Sequence, residues 1–203
     1  MTTDPVFTSA ARAFATLVRE IPPSRWAGPG LGEWDLRALV GHTSRSLITV
    51  SSYLQTTAQR EDIASAQDYY ALIRDTAWIA GPSEIVERGR QAGRDLGEHP
   101  AATIDALAER ALADVAAVED PLITVIGGLG IRLHTYLPTR VFELAVHSLD
   151  IVRATGIEFR LPPAVLDAAT TLAARTAVTL GDGETVLTAL TGRSALPPSF
   201  SVV

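Results

Sequence analysis

Apolar residues recur at intervals of three and four along most of the chain, and this helical spacing constrains the fold more than any other feature. A first apolar stripe begins at Phe7, after Asp4-Pro5, a pair suited to the start of a helix. Asp35 is placed to cap a second helix over residues 36–54. The same pattern predicts further helices at residues 68–80, 82–93, 100–118, 138–154, 163–180 and 183–192. The sequence therefore predicts an all-α bundle with additional peripheral helices.

Residues 122–130, LITVIGGLG, are the one stretch rich in β-branched residues, and they predict either a short strand or an extended connection. The chain shows no internal repeat, low-complexity tract or linker. We therefore expect a single domain over residues 1–203, which is long enough to bury a substantial core.

The composition excludes several classes of protein. The formal net charge is −6 and no basic run is present, so nucleic acid is not a predicted partner. No apolar stretch reaches the roughly 18 residues that cross a bilayer, and the N-terminus lacks a secretory signal, so we expect a cytoplasmic protein without a membrane partner. The chain contains no cysteine and no lysine, and all 17 basic residues are arginine. Any thiol or amine chemistry must therefore come from a bound small molecule.

Four polar side chains share one face of the helix predicted at residues 138–154. At 100° per residue, Arg140, Glu143, His147 and Asp150 fall within an arc of about 80°. The rest of this segment is largely apolar, which is typical of a buried helix. A charged stripe on a buried helix must be ion-paired or must coordinate a ligand.

Two interpretations of this stripe are open. Arg140 precedes Glu143 by one turn and could neutralise it as a plain ion pair. Alternatively, Glu143 and His147 stand at i, i+4 and could share a metal ion with a third ligand. His42 is the strongest third ligand, because it lies within an apolar helix, and His134 competes with it from a predicted loop. Two imidazoles and one carboxylate suit Zn(II), Fe(II) or Ni(II) and leave coordination positions open.

Other motifs predict no site. Asp95 and His99 also stand at i, i+4, but Gly97 lies between them and Pro100 follows, so a helix is not predicted there. The GGLG sequence at residues 127–130 lacks the spacing of a dinucleotide-binding loop. The chain contains neither a G-x-S-x-G elbow nor a Walker A sequence.

Two segments carry a resemblance to a known family. WDLRALVGHTSRSL around His42 and YLPTRVFELAVHSLDIVRATG around Glu143 and His147 resemble the DinB-like superfamily. Within it they are most similar to the N-terminal domain of mycothiol-dependent maleylpyruvate isomerase-type proteins of actinobacteria. The resemblance covers about residues 5–157 and leaves residues 158–203 as C-terminal helices and a tail. It implies a four-helix bundle that binds a divalent metal ion through His42, Glu143 and His147, with zinc as the first choice and nickel or iron as alternatives.

The resemblance also implies a chemistry. Mycothiol, a low-molecular-weight thiol, would bind the metal ion as co-substrate and ionise, and its thiolate would react with a small electrophile by S-transfer or isomerisation. Isomerase-type members carry a second domain with a catalytic arginine, whereas 56 residues follow His147 here, so thiol transfer is the stronger expectation. Arg45 and Arg140 are the predicted catalytic residues, as binders of an anionic substrate. Bundles of this superfamily often form homodimers, and we expect one here.

Two other functions are compatible with the same residues. A metal-dependent hydrolase would use a metal-bound water as its nucleophile. A non-catalytic helical protein would keep the two histidines and the glutamate as a structural metal-binding set. The three functions differ in whether an added thiol is needed and in whether a metal ligand can be lost without loss of stability.

Overall fold

The computed structural model describes residues 4–74 and 81–203, and this part of the chain is predominantly helical, as predicted. The helices are α1 (Pro5–Arg19), α2 (Leu36–Tyr53), α3 (Ala66–Arg74), α4 (Pro82–Asp95), α5 (Pro100–Ala116), α6 (Leu133–Thr155), α7 (Pro163–Thr179) and α8 (Gly183–Leu190). Residues 75–80, which complete the predicted third helix, lie outside the described residues. Within the described ranges, no helix is both long enough and apolar enough to cross a membrane.

Four helices form the central bundle. α1 packs against α5 and α6, and α2 packs against the same two helices from the other side. Their shared core is made of large apolar side chains with almost no exposed surface, including Phe7, Phe14, Leu39, Leu47 and Tyr136. α4 lies against α2, and α7 lies against α6 and α1. The prediction of an all-α, DinB-like bundle with peripheral helices is confirmed.

Local capping explains where the first two bundle helices begin. Asp4 accepts hydrogen bonds from the backbone N–H groups of Val6 and Phe7, each at 2.9 Å. Asp35 accepts from the N–H of Ala38 at 2.7 Å. Each carboxylate thus satisfies N–H groups that the first helical turn leaves unpaired. Both predicted helix starts are confirmed.

The long helix α6 begins five residues before its predicted start. Pro138 lies inside α6, although we predicted it as the first helical residue. A proline at this position removes the hydrogen bond to the carbonyl four residues earlier, and its ring crowds that carbonyl, so the helix accommodates it at a cost. The earlier turn is held by Asp120, whose Oδ1 accepts from the backbone N–H of His134 at 2.9 Å. His134 therefore lies in the first turn of α6, not in a loop.

The β-branched stretch forms one strand of a small hairpin. β1 (Leu122–Thr124) pairs antiparallel with β2 (Gly130–Arg132), with Ile123 opposite Ile131. The strand alternative for residues 122–130 is confirmed for β1, whereas β2 was not predicted. Gly130 lies so close to residue 60 that an added Cβ would stand 1.8 Å from the Arg60 carbonyl oxygen. This close approach brings residues 60–63 against the hairpin.

The helices α2 and α4 touch backbone to backbone. A Cβ added at Gly41 would lie 2.2 Å from the backbone nitrogen of Gly93. The contact therefore depends on glycine at the position directly before His42. It also brings α4 alongside the part of α2 that carries the candidate site.

Candidate functional site

His42, Glu143 and His147 lie together where α2 packs beside α6. The imidazole centroids of His42 and His147 are 5.0 Å apart, with the two rings nearly perpendicular. Glu143 Oε2 lies 3.4 Å from His147 Nε2. The side chains of Glu143 and His147 are largely buried, with exposed fractions of 24% and 14%. The three residues that the sequence and the resemblance single out are neighbours in space.

Glu143 is contacted by Tyr70 and His147. The Tyr70 hydroxyl donates to Glu143 Oε1 at 2.8 Å, while Oε2 faces His147. Burial by itself raises the pKa of Glu143, but His147, Arg140 and Tyr70 outweigh it and lower the pKa to about 2. Glu143 is therefore a carboxylate at every pH of interest, with one oxygen directed at His147.

His147 lies between two carboxylates. Its Nδ1 is 3.1 Å from Asp150 Oδ2, and its Nε2 faces Glu143. Asp150 also pairs with Arg153, whose guanidinium nitrogen lies 3.6 Å from Asp150 Oδ1. Burial lowers the pKa of His147, but Asp150 and Glu143 outweigh it and raise the pKa to about 9. Without a bound cation, His147 therefore carries the positive charge between these acids.

His42 has the opposite electrostatic character. Burial and the neighbouring His147 lower its pKa to about 4, so it is a neutral imidazole at pH 7. Its Nδ1 is buried without a hydrogen-bond partner in the described part of the chain. Trp34 stacks on the ring at a centroid distance of 4.4 Å, and its indole N–H donates to the Val86 carbonyl at 2.9 Å. His42 is therefore held in place by packing on an anchored indole.

The donor types and one measured distance fit a divalent cation. Two ligands on a tetrahedral ion with bonds of about 2.0–2.2 Å lie roughly 3.4 Å apart. The distance from Glu143 Oε2 to His147 Nε2 is 3.4 Å, longer than the about 2.7–2.9 Å of a charge-assisted hydrogen bond. As the side chains stand, no three His, Asp or Glu groups within the described residues surround one point closely enough to hold an ion. The arrangement is thus a carboxylate–imidazole pair with a neutral third imidazole beside it.

A cavity of about 560 Å³ opens next to these residues. His42 and Glu143 line it, with tyrosine, isoleucine and arginine side chains from α2, α3, α4 and α6. Arg45, one turn after His42, is half-buried, and its guanidinium has no hydrogen-bond or ion-pair partner in residues 4–74 and 81–203. Arg74 and Arg88 also line the cavity. Because Glu143 is the one carboxylate side chain among the lining residues within 4–74 and 81–203, this part of the lining favours an anionic ligand.

Arg140 is buried among tyrosines. Its guanidinium carbon lies 4.8 Å from the ring centroid of Tyr136 and 5.5 Å from that of Tyr69. It donates to Thr139 Oγ1 at 3.0 Å and to the Tyr69 hydroxyl at 3.3 Å. Within the described chain it makes no ion pair with Glu143, so the structure does not form the plain ion pair that the sequence left open. Arg140 is instead a buried cation in the cavity wall.

The other two histidines lie away from this cavity. His134 is 70% exposed, and its Nδ1 is 2.8 Å from Asp120 Oδ2. It is therefore not a neighbour of Glu143 and His147. His99 precedes α5, and Asp95 ends α4, with Gly97 between them at a φ of +69°. As expected, the Asp95–His99 spacing is not part of a continuous helix.

The chain was also compared with known proteins. A family model described as the mycothiol maleylpyruvate isomerase N-terminal domain matches residues 7–152. The chain belongs to this family. No curated protein and no solved structure matches it. The matched residues of this mycothiol maleylpyruvate isomerase N-terminal domain include His42, Glu143 and His147, whereas α7, α8 and the tail follow the match.

Sequence reasoning missed two side chains that shape the site of this family member. Tyr70 comes from α3 and Trp34 from the loop before α2, and neither shows a helical spacing to the candidate ligands. Their contacts depend on how α3 and α4 lean on the bundle. An alternation of apolar and polar residues along one helix carries no information on that tilt.

Proposed function

We propose that this chain is a divalent-metal-dependent enzyme that activates mycothiol for S-transfer to, or isomerisation of, a small electrophile. His42, Glu143 and His147 would hold the ion, with zinc as the first choice and nickel or iron as alternatives. The observation that carries the proposal is the pairing of Glu143 Oε2 and His147 Nε2 at 3.4 Å, beside the neutral ring of His42 at the cavity wall. The family match supports the thiol as co-substrate.

Neighbouring residues prepare these ligands. When bound, a divalent ion lowers the pKa of a thiol ligand enough for it to ionise at neutral pH. Asp150 accepts from His147 Nδ1, which fixes the ring so that Nε2 faces Glu143. Trp34 covers one face of the His42 ring and restricts its rotation. The chain has no cysteine, so no protein thiol competes with the small-molecule thiol.

The cavity supplies substrate binding. Its volume of about 560 Å³ lies within the range of about 300–1,000 Å³ that is usual for small-molecule sites. Arg45 offers a guanidinium that is unpaired within the described residues, one turn from His42, and Arg140 adds a buried positive charge one turn from Glu143. We propose that these two arginines hold the anionic group of the electrophile. The isoleucine and tyrosine side chains around them exclude water from the reacting groups.

Elemental analysis of untagged protein tests the metal site directly. We expect about one divalent ion per chain in the wild type and its loss in His42→Ala and in His147→Ala. His134→Ala is the matched control, because His134 is exposed and bonded to Asp120 away from the cavity. If no metal is bound after reconstitution with Zn(II), Ni(II) or Fe(II), the proposal is wrong. Glu143, His147 and Asp150 would then be an ion-paired part of the core.

Thiol binding separates the three functions. Calorimetric titration of the metal-loaded protein with mycothiol is expected to show binding that the metal-free protein lacks. No affinity for mycothiol, together with metal-dependent turnover of activated esters in the absence of thiol, would establish the hydrolase instead. If His42→Ala lost its metal and its main effect were a lower melting temperature, the residues would form a structural set.

A further inference from the structure

Tyr70 makes a contact that its place in the core does not require. It belongs to α3, is 6% exposed, and packs edge to face on Phe142 at 5.2 Å and on Tyr69 at 5.5 Å. A phenylalanine would fill the same space with the same ring contacts. The hydroxyl is nevertheless present, and it donates to Glu143 Oε1 at 2.8 Å, with the Thr139 carbonyl oxygen at 3.0 Å.

Because of this hydrogen bond, the two carboxylate oxygens of Glu143 have different partners. Oε1 of Glu143 is engaged by Tyr70, whereas Oε2 is the atom that faces His147 Nε2 at 3.4 Å. A carboxylate can bind a metal ion through one oxygen or through both. Donation by a buried hydroxyl to one oxygen favours the first mode, because a metal ion on that same oxygen would withdraw its electron density and weaken the hydrogen bond from Tyr70.

We infer that Tyr70 is a positioning residue that restricts Glu143 to binding the metal ion through Oε2 alone. The inference rests on the proposed function, since it presumes that Glu143 is a ligand. With one oxygen from Glu143 and two imidazoles, three positions are filled and the fourth is left for a thiol. A second carboxylate oxygen would compete for that position. Tyr70 therefore preserves the open position on which a reactive site depends.

Cobalt(II) substitution tests this inference with a readout other than activity. The visible absorption of Co(II) weakens as its coordination number rises from four to five. In Tyr70→Phe, Glu143 is free to bind through both oxygens, so we expect a full complement of cobalt with weaker visible bands than in the wild type. Because the ligand loses its hydrogen-bond partner, we also expect metal affinity to fall by about 10-fold or more. A purely structural role for Tyr70 would change the melting temperature and leave the spectrum unchanged.

Tyr53→Phe is the matched control. Tyr53 lines the same cavity but makes no hydrogen bond to Glu143, His42 or His147 within the described residues, so this variant should keep the wild-type cobalt spectrum. Equal spectra and equal affinities for wild type and Tyr70→Phe would overturn the inference and leave the proposed function intact. Failure of the wild type to bind any of cobalt, zinc, nickel and iron would overturn both.

A second measurement needs only the wild type and remains decisive if Tyr70→Phe folds poorly. The infrared difference spectrum between metal-loaded and metal-free protein reports the separation of the two carboxylate stretching bands. This separation is wide for binding through one oxygen and narrow for binding through both. We expect a wide separation, and a narrow one would contradict the role assigned to Tyr70.

Discussion

Substitution of Gly41 by alanine tests how closely the site depends on the contact between α2 and α4. The added Cβ would lie 2.2 Å from the Gly93 nitrogen and 2.5 Å from the Gly93 Cα. Ordinary contact between such atoms is at about 3.5 Å, so the two helices must separate by more than about 1 Å. The obstacle is backbone, which no side-chain rotation can move aside.

The size of the effect follows from two opposing terms. Overpacking costs about 1–3 kcal/mol and more where the structure cannot yield, which places this backbone clash at about 3 kcal/mol or above. Alanine gains about 1 kcal/mol over glycine inside a helix. The net loss is therefore about 2 kcal/mol, or about 4–8 °C in melting temperature for a domain of this size. Separation of α4 also pulls on Trp34, which holds His42, so we expect weaker metal binding.

Thermal unfolding by circular dichroism, with metal titration beside it, measures both effects. Ser52→Ala is the matched control, because Ser52 is exposed on the same helix and the change should leave both properties within error. Gly93→Ala should reproduce the defect from the other side, since its Cβ would lie 2.9 Å from the Cα of Ala38. A Gly41→Ala protein as stable as the wild type would refute the backbone contact between α2 and α4.

Four other predictions concern protons, charge and assembly. His147 has a pKa raised to about 9 and must lose its proton to bind a metal ion, whereas His42, at about 4, is already neutral. We therefore expect metal binding at pH 7.5 to release about one proton, which calorimetry in buffers of different ionisation enthalpy measures. The apparent metal affinity should also rise about tenfold per pH unit up to about pH 9. Metal binding without proton release would contradict this expectation. The Gly130 N–H and Arg60 lower the pKa of Asp62 in the folded state. The Asp62 carboxylate therefore stabilises the fold above the pKa that it has in the unfolded chain, and this stabilisation is lost as the pH falls through its lower pKa in the folded state. Asp62→Asn should accordingly flatten the decline in melting temperature below about pH 4, and an unchanged pH profile would count against that hydrogen bond. Arg45→Met should lower kcat/KM for an anionic electrophile by about 10- to 100-fold and kcat/KM for a neutral electrophile much less. Equal losses for the two substrates would show that Arg45 does not bind the anionic group. Light scattering on the eluting protein is expected to give the mass of a homodimer, and a monomer at all concentrations would exclude it.

The parts of this fold that could be predicted are those decided by neighbours in sequence. Asp4 and Asp35 cap the helices directly after them, and each cap is a contact over two or three residues. The start of α6 was missed because Asp120, which holds its first turn, lies beyond a hairpin whose second strand has no strong pattern. Proline is a good marker of a helix start, but Pro138 shows that it is also tolerated in a second turn.

In the candidate site, too, the contacts between neighbours in sequence could be predicted and those between separate helices could not. Glu143 and His147 are one turn apart on a single helix, so their meeting follows from helical geometry. The approach of His42 from α2 follows only from the packing of two helices, and here the resemblance supplied what periodicity could not. The orientation of Arg140 depends on where Tyr69 and Tyr136 place their rings. The local pattern left an ion pair with Glu143 open and gave no indication of the aromatic enclosure that the structure shows.

The position of the candidate ligands along the chain has a consequence for the protein inside a cell. His42 and Glu143 are joined by residues 43–142, so an ion held by both would act as a removable cross-link across a very long loop. The unfolded chain cannot hold these ligands together, so binding would favour the folded state by about 2.7 kcal/mol when free metal is at 100 times its dissociation constant. The lifetime of the folded chain would then follow the metal supply. Resistance to proteolysis would rise and fall with the availability of the ion, whatever the demand for its chemistry.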